Sequence, residues 1–456
     1  MKNENTIPFY KEVIEQGAYK VVTDWSKKDE LIQYIKDEAL KVIGAVAGEG
    51  AAKGVQENGL TAIHKFVSPD YRVDIQDRLA EAIKVRMLEY TLDFSREALG
   101  LKGDFYMDLM VIARVHFPFE VAKKSSMSYL DYSAKRGRTS FQVPPEKTSG
   151  FHKDLPFPAW AHGPHADSWF GHSFDGINLW WGIDGVTERS GMTFYPDYVG
   201  DNAIPVHDEP PYLAKDFPLP KPVFFDADPG AVIVFNSDTL HGTRVHSADV
   251  TRVSLSTRIN PLKPRFNEEK FRHVKLWLRT QDIPKFVEAA KTAALPNIEE
   301  SHKDAAKAGK GFAVENLIFN ASKEDFGNEE GVLGNTCKKK LSLVLRVLDA
   351  AIDENNVINL GLSDRVELGE KVLVRAGNQQ IALARTKSGL RALSAICPHV
   401  GYNLAAGGHD DEKVFCNGHG LGFDWATGRS ECSGFAAQTY RVLDSDSGIQ
   451  IHLNAK

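Results

Sequence analysis

The stretch CPHVGYNLAAGGHDDEKVFCNGHGLGFDWATG, residues 397–428, sets Cys397 two positions before His399 and Cys416 three before His419, with sixteen residues between the pairs. Two loops that each offer one thiol and one imidazole can close a site of two sulfurs and two nitrogens. A structural zinc site uses the same donors, but at C-x2–4-C with H-x3–5-H spacing, which is absent here. Short apolar runs broken by Gly and Asn/Asp fill roughly the last ninety residues, so the loops belong to a small all-β domain.

The pattern C-x-H-x16-C-x-x-H resembles the Rieske [2Fe–2S] family over roughly Leu360 to Leu453, and GHGLGFDWATG (418–428) is similar to that family's second loop and following turn. The resemblance implies that Cys397 and Cys416 bind one iron and that His399 and His419 bind the other. High-potential members carry an extra cysteine in each loop, and here those positions are Tyr402 and Gly418. Such members also place Ser and Tyr hydroxyls near the sulfurs, where this chain has Leu421 and Phe423. Fewer hydrogen bonds to sulfur stabilise the reduced state less, which predicts a ferredoxin-like cluster on the order of −150 mV.

A second constellation lies upstream. His165 and Asp167 are two apart, so in an extended segment both point to one side. With the distant His241 they supply two imidazoles and a carboxylate to one octahedral face and leave three positions open. Arg252, eleven residues after His241, suits a bidentate clamp on a carboxylate. The passage DPGAVIVFNSDTLHGTRVHSADVTRVSLSTRIN (228–260) resembles the late jelly-roll strands of the phytanoyl-CoA dioxygenase-like group, over roughly Trp160 to Asn260. That resemblance implies Fe(II) at His165, Asp167 and His241, with 2-oxoglutarate as co-substrate on Arg252. Its halogenating relatives lack the carboxylate, so Asp167 implies hydroxylation or related C–H oxidation. Tyr195-Pro196-Asp197-Tyr198 stands where the group often has a PGSH-like turn, which touches the substrate pocket more than the metal.

The rivals are a second H-x-D, His152-Lys-Asp154, and His246 in place of His241, which would leave Arg252 only six residues on. His162 and His172 flank the favoured site and read as loop or supporting histidines. Arg258 reads as a surface salt bridge, with an anionic substrate as its sharper alternative. Trp160, Trp169, Phe170, Trp180 and Trp181 read mainly as strand core, with one or two lining a pocket. Pocket loops are expected around Phe117–Lys153 and Val199–Pro220.

The expected fold class is α+β with a mainly β core: a double-stranded β-helix (jelly roll) with helical N-terminal and linker regions, then a small all-β Rieske domain. The divisions are 1–100 helical, 101–265 jelly-roll oxygenase, 266–358 helical extension and linker, and 359–456 Rieske. Ser26 is placed as the cap of a helix carrying Leu31, Ile35, Leu40 and Ile43, and a second helix is expected over Asp74–Phe94. Strands are expected at Met107–Phe117, Ile177–Ile183, Gly191–Tyr195, Pro222–Phe225, Ala231–Phe235 and Arg252–Ile259. Helices are expected again around Phe271, Val274 and Leu278, and around Leu341, Leu345, Leu348 and Ile352.

A net charge of −6 over 456 residues argues against nucleic acid or anionic membrane as the main partner. The opening MKNENTIPFYKEV has no apolar signal core, and no stretch is long enough to span a bilayer, so a cytoplasmic location is expected. Of four cysteines, Cys337 and Cys432 stand outside the motif and read as free thiols. The chain has no G-x-G-x-x-G fingerprint, so an external reductase or ferredoxin is expected beside O2 and a small-molecule substrate. A homo-oligomer is a further expectation, since the Rieske domain reaches either its own iron or a neighbour's.

Oxygen cleavage takes four electrons, and in 2-oxoglutarate enzymes the keto acid and the substrate supply two each. Three readings follow. The first is a 2-oxoglutarate oxygenase whose Rieske centre adds single electrons. The second is a reductant-driven non-haem iron oxygenase that uses the Rieske centre instead of the keto acid. The third is a non-catalytic jelly-roll binder with a Rieske docking or redox-sensing module.

Overall fold

The run INLWWGID forms strand β4 (Ile177–Asp184), buried along nearly its whole length. Apolar residues on successive positions bury both faces, as a strand needs when it is covered on each side. Trp181 points to one face, among Trp25 and Phe94 at ring distances of 5.7 and 5.0 Å. Trp180 points to the other, with Phe194, Ile233 and Phe235. In this computed structural model the described residues are 9–128, 131, 155–170, 172–199, 213, 216–262, 277–292, 312–314, 317–319 and 345–453.

The strands around β4 are β1 (Lys20–Val22), β2 (Tyr106–Asp108), β3 (Ile112–His116), β6 (Ala231–Asn236), β8 (Arg252–Asn260) and β9 (Trp277–Arg279). They form one sheet in the order β1-β6-β4-β8-β2-β9, with β3 also on β8. All these pairings are antiparallel. A second, two-stranded sheet joins β5 (Met192–Val199) to β7 (Thr239–Thr243), with Phe194 opposite His241. The expected strand over Met107–Phe117 is split in two at 109–111, and Pro222–Phe225 contributes a single bridge, Phe194 to Val223.

Helices α1 (Phe9–Gln16), α2 (Lys28–Ala47), α3 (Glu49–Asn58), α4 (Ile63–Phe66) and α5 (Arg72–Glu97) precede β2, with β1 between α1 and α2. Leu31, Ile35 and Ile43 on α2 and Leu79, Ile83, Met87 and Tyr90 on α5 are buried at helical spacing. Ser26 does not cap α2; its N–H and hydroxyl both donate to Glu97 and tie the two helices together. On the helix-facing side of the sheet Trp181 Nε1 donates to Thr257 Oγ1 at 2.9 Å, from one strand to its neighbour. Trp181→Phe is expected to cost about 1–3 kcal/mol, from lost volume and a weakened buried hydroxyl, measured by chemical denaturation.

The region between the sheets and the C-terminal domain departs from expectation. Leu278 lies in β9 on the edge of the large sheet, and the helix here is Ile283–Thr292. A hairpin pairs β10 (Phe312–Val314) with β11 (Leu317–Phe319). Leu348 lies in β12 (Val347–Ala350), parallel to β14 (Lys371–Ala376), and Ile352 makes a bridge to Ile358. Distant strands pair with these segments and override their helical spacing. Phe271, Val274, Leu341, Cys337 and the rival His152-Lys-Asp154 lie outside the described residues.

The C-terminal sheet runs β12-β14-β15-β16-β19-β20-β13, with β13 (Val357–Gly361), β15 (Gln379–Thr386), β16 (Gly389–Ser394), β19 (Thr439–Ser445) and β20 (Gly448–His452). A separate pair, β17 (Lys413–Phe415) and β18 (Gly422–Asp424), carries one of the two Cys/His loops. No helix of the described residues is long and apolar enough to cross a membrane.

Candidate functional site

The two Cys/His loops share one backbone plan. Cys397 N–H donates to the Tyr402 carbonyl and Gly401 N–H to the Cys397 carbonyl. Cys416 N–H donates to the Leu421 carbonyl and Gly420 N–H to the Cys416 carbonyl. Each loop turns at a glycine four residues after its cysteine, Gly401 at φ 74° and Gly420 at φ 64°, a backbone region that a side chain would strain. The plan brings Cys397 and Cys416 together, both buried, and stacks the His399 and His419 rings edge to face at 5.1 Å. Burial and the neighbouring Cys416 push the Cys397 thiol well above its ordinary range. Thiolates become tenable in such a place when a metal supplies the compensating charge. The donor set therefore fits a cluster held by two sulfurs and two imidazoles.

The upstream residues meet as well. His165 and His241 form an antiparallel bridge, each N–H donating to the other's carbonyl. Asp167 opens a short 3-10 turn rather than continuing an extended segment, and its N–H donates to the Ser237 carbonyl. Asp167 Oδ1 lies 3.6 Å from His165 Nε2 and 3.8 Å from His241 Nε2. One ligand atom from each of the three falls within 4.8 Å of the others. His165 Nδ1 is 2.7 Å from the Gly163 carbonyl, and His241 Nδ1 is 2.8 Å from the Thr239 carbonyl. Both contacts place the ring proton on Nδ1 and leave each Nε2 lone pair facing the gap. Burial, with His165 adding to it, lowers His241 to about 4. Its imidazole is therefore neutral and ready to ligate at neutral pH.

Arg258 is a correction: it is 5 % exposed, not a surface residue. Its Nε and Nη2 reach Asp167 Oδ2 at 3.0 and 2.7 Å. Burial alone would raise the Asp167 carboxyl, but the Arg258 guanidinium beside it holds it well below the usual range. One carboxylate oxygen is thus clamped while the other faces the two imidazoles. Arg258→Met is expected to weaken metal binding by His165, Asp167 and His241 about 10- to 100-fold, read by chelator competition. Unchanged affinity would show that Asp167 needs no such clamp.

Arg252, Ser254, Ser256 and Arg258 alternate along β8 and share the face turned to the trio. Arg252 is 2 % exposed, and Nη1 donates to the carbonyls of Ser190 (2.7 Å) and Gly191 (2.9 Å). Its Cζ lies 5.7 Å from the Trp180 ring, which belongs to the same face of the sheet. Among the described residues no carboxylate pairs with it, and burial with Arg114 and Arg72 lowers it to about 9. Burial and Arg252 also lower His246 to about 3 and His116 well below its ordinary value. On the same sheet Asn178 Nδ2 and Oδ1, Ser254 Oγ and Arg252 Nε are buried without hydrogen-bond partners. A lining of cations and unsatisfied polar groups is the surface an anionic, oxygen-rich ligand would complete. Sequence reading missed Ser254 and Asn178; the even spacing of 252, 254 and 258 was the available signal.

The other candidates stay outside the trio. The His162 ring is 6.1 Å from that of His165, and its carbonyl accepts from Thr243. His172 is buried with Nδ1 4.0 Å from Asp108. The His246 carbonyl accepts from Phe119 N–H. Phe170 stands edge-on to His165 at 5.1 Å, Trp180 lines the inner face, and Trp169 and Trp181 are core. Most of the expected pocket loops, Phe117–Lys153 and Val199–Pro220, lies outside the described residues.

Comparison with known proteins bears on the C-terminal site. The family model of the Rieske [2Fe-2S] domain matches residues 356–441. Among solved structures, the ferredoxin of carbazole 1,9a-dioxygenase from Nocardioides aromaticivorans IC177 is 19% identical, over 21% of this chain and 96% of that one, with a TM-score of 0.20. The Sphingomonas yanoikuyae B1 ferredoxin is 26% identical over 21% and 97%, with a TM-score of 0.19. Apo dicamba monooxygenase is 22% identical over 22% and 34%, with a TM-score of 0.21. No curated protein matches the chain. The family match and the paired Cys/His loops agree: this chain carries a Rieske [2Fe-2S] domain at residues 356–441.

Proposed function

We propose that the chain is an iron- and 2-oxoglutarate-dependent oxygenase that hydroxylates or otherwise oxidises a C–H bond of a small molecule, releasing succinate and CO2, with its Rieske centre supplying single electrons. His165, Asp167 and His241 would hold Fe(II), which would supply oxygen activation when bound. In this reading the large sheet and the β5/β7 sheet are the two walls of a jelly roll, and residues 1–100 buttress it.

The observation that carries the reading is Arg252, a buried guanidinium that, among the described residues, donates to two backbone carbonyls and pairs with no carboxylate. A carboxylate laid on it gains a charge-assisted, bidentate contact and relieves the cost of an unbalanced buried cation. Ser254, two residues on and on the same face, offers a further donor to that anion. Arg258 keeps Asp167 turned toward the two histidines. Trp180 and Phe235 keep that face apolar around its few polar groups, which excludes water from the reacting end.

A second reading, a reductant-driven oxygenase without keto acid, is favoured by one observation: a cluster-ligand loop rests on the β5/β7 sheet, and the His419 carbonyl accepts from Val245 N–H. Succinate formation separates the two. Anaerobically reconstituted protein, given 2-oxoglutarate and then oxygen, is expected to form succinate without added reductant. Full iron occupancy with no succinate, and substrate oxidation only with reductant, would establish the second reading instead.

A further inference from the structure

The β5/β7 sheet has two faces, and each faces one of the chain's two candidate metal sites. Phe194 and His241 pair across it and turn inward, where Phe235 lies 4.9 Å from the His241 ring. Thr193 and Tyr195 alternate to the opposite face. Against that face lies the cluster loop 416–421: a side chain at Gly420 would run into Thr193 Cγ2. Val245 N–H donates to the His419 carbonyl at 2.9 Å. Val245 is four residues past His241 on the same run of chain, so a cluster ligand and a candidate iron ligand are joined by one hydrogen bond and a short stretch of backbone.

The seat is built rather than incidental. Leu219 N–H donates to the Ala406 carbonyl at 2.7 Å, and Asn417 Nδ2 to the Phe217 carbonyl at 2.7 Å. At Gly408 any side chain would strike the backbone of Lys221. Buried Arg244 pairs with Glu431. One continuous hydrophobic core includes Phe117 and Phe119 together with Cys397, Leu404 and Cys416. A domain docked by buried backbone hydrogen bonds and core contacts is fixed in place, not tethered.

The two cluster loops differ in exposure. Residues Cys416 to Leu421 are buried, while Ile396 is 51 % exposed and Pro398 and Gly401 are exposed. Among the described residues, the 396–401 side is therefore the one that a second copy of the chain, or a donor protein, can reach.

We propose that electrons pass between the two sites of one and the same chain, leaving the cluster through the His419 carbonyl–Val245 N–H contact and entering it through the outward loop Ile396–Gly401. The route rests on the reading above that His165, Asp167 and His241 hold iron. In each transfer the reduced cluster loses one electron and returns to its oxidised state, and one ferric iron becomes ferrous. No bond is made or broken. The cluster is re-reduced by an external one-electron carrier protein of the ferredoxin class.

The test uses the full chain with both sites loaded, the cluster reduced and the mononuclear iron ferric, under anaerobic conditions. Cluster re-oxidation is followed by its visible absorbance, and the ferric signal by electron paramagnetic resonance. The expected result is a first-order decay whose rate constant is unchanged on dilution. Co-expressed, co-purified chains complete the test, one carrying Cys397→Ser and Cys416→Ser, the other His241→Ala. Such a mixture is expected to show no transfer. A rate that falls with dilution, or transfer restored in the mixture, overturns the intrachain route. Iron content at the trio is measured separately: an empty site in the wild type overturns the functional reading itself, whereas a filled site with interchain transfer overturns only the route.

Discussion

Arg252→Met is expected to lower 2-oxoglutarate-dependent succinate formation by roughly thirty- to several-thousand-fold, the loss that follows when one partner of a buried charge pair is truncated at about 2–5 kcal/mol. The size follows from position. Arg252 is 2 % exposed, and among the described residues no carboxylate pairs with it. Burial, with Arg114 and Arg72 adding to it, lowers its pKa to about 9. The sign is informative. A folded pKa below the ordinary value means that the fold favours the uncharged form. Stability from this group is present above its ordinary range and is lost as pH falls toward about 9, so at neutral pH the charge is held at a cost. A bound dicarboxylate removes that cost. Saturating 2-oxoglutarate is therefore expected to raise the wild-type Tm and to leave the Tm of Arg252→Met unmoved. Kinetics and thermal shift together check the assignment. A variant that keeps both the activity and the ligand-induced shift would place the keto acid elsewhere, or nowhere.

The parts of the site that were legible in the sequence are those whose chemistry is carried by residue type and spacing. C-x-H-x16-C-x-x-H survives as a local pattern because each loop makes its own hydrogen bonds, Cys397 to Tyr402 and Cys416 to Leu421. His165, Asp167 and His241 are legible because few other combinations offer two imidazoles and a carboxylate. Arg258 was misjudged because burial depends on sheet register: it becomes a clamp only when β8 pairs with β4 and turns its even positions toward Asp167. Leu345, Leu348 and Ile352 repeat at helical spacing, yet Leu348 pairs with Val374 in a parallel strand, and no window around it contains that partner. The seam was hidden for the same reason. Val245 and His419 are ordinary residues until two sheets are folded and docked.

That seam yields the other large effect. Arg244 is 2 % and Glu431 10 % exposed at their side chains, and they pair across the two parts of the chain. Arg244 also lies 3.7 Å above the Phe224 ring, and Glu431 keeps a second cation, Lys413, at 3.2 Å. Burial would raise the Glu431 carboxyl, but Arg244 prevails and holds it below its ordinary range. Breaking a buried pair costs about 3–5 kcal/mol because the survivor is left uncompensated, while replacing both partners is far milder. The two halves are not equivalent. Glu431→Leu strands Arg244, whereas Arg244→Met leaves Glu431 with Lys413. Denaturation is therefore expected to rank Glu431→Leu as the more damaging single change, with the double variant closer to wild type than either. Equal and additive losses would mean that the pair is a bystander. If the electron route is as proposed, Glu431→Leu also slows cluster re-oxidation while its visible spectrum stays intact, because loosening the seam lengthens the His419–Val245 contact without touching a ligand.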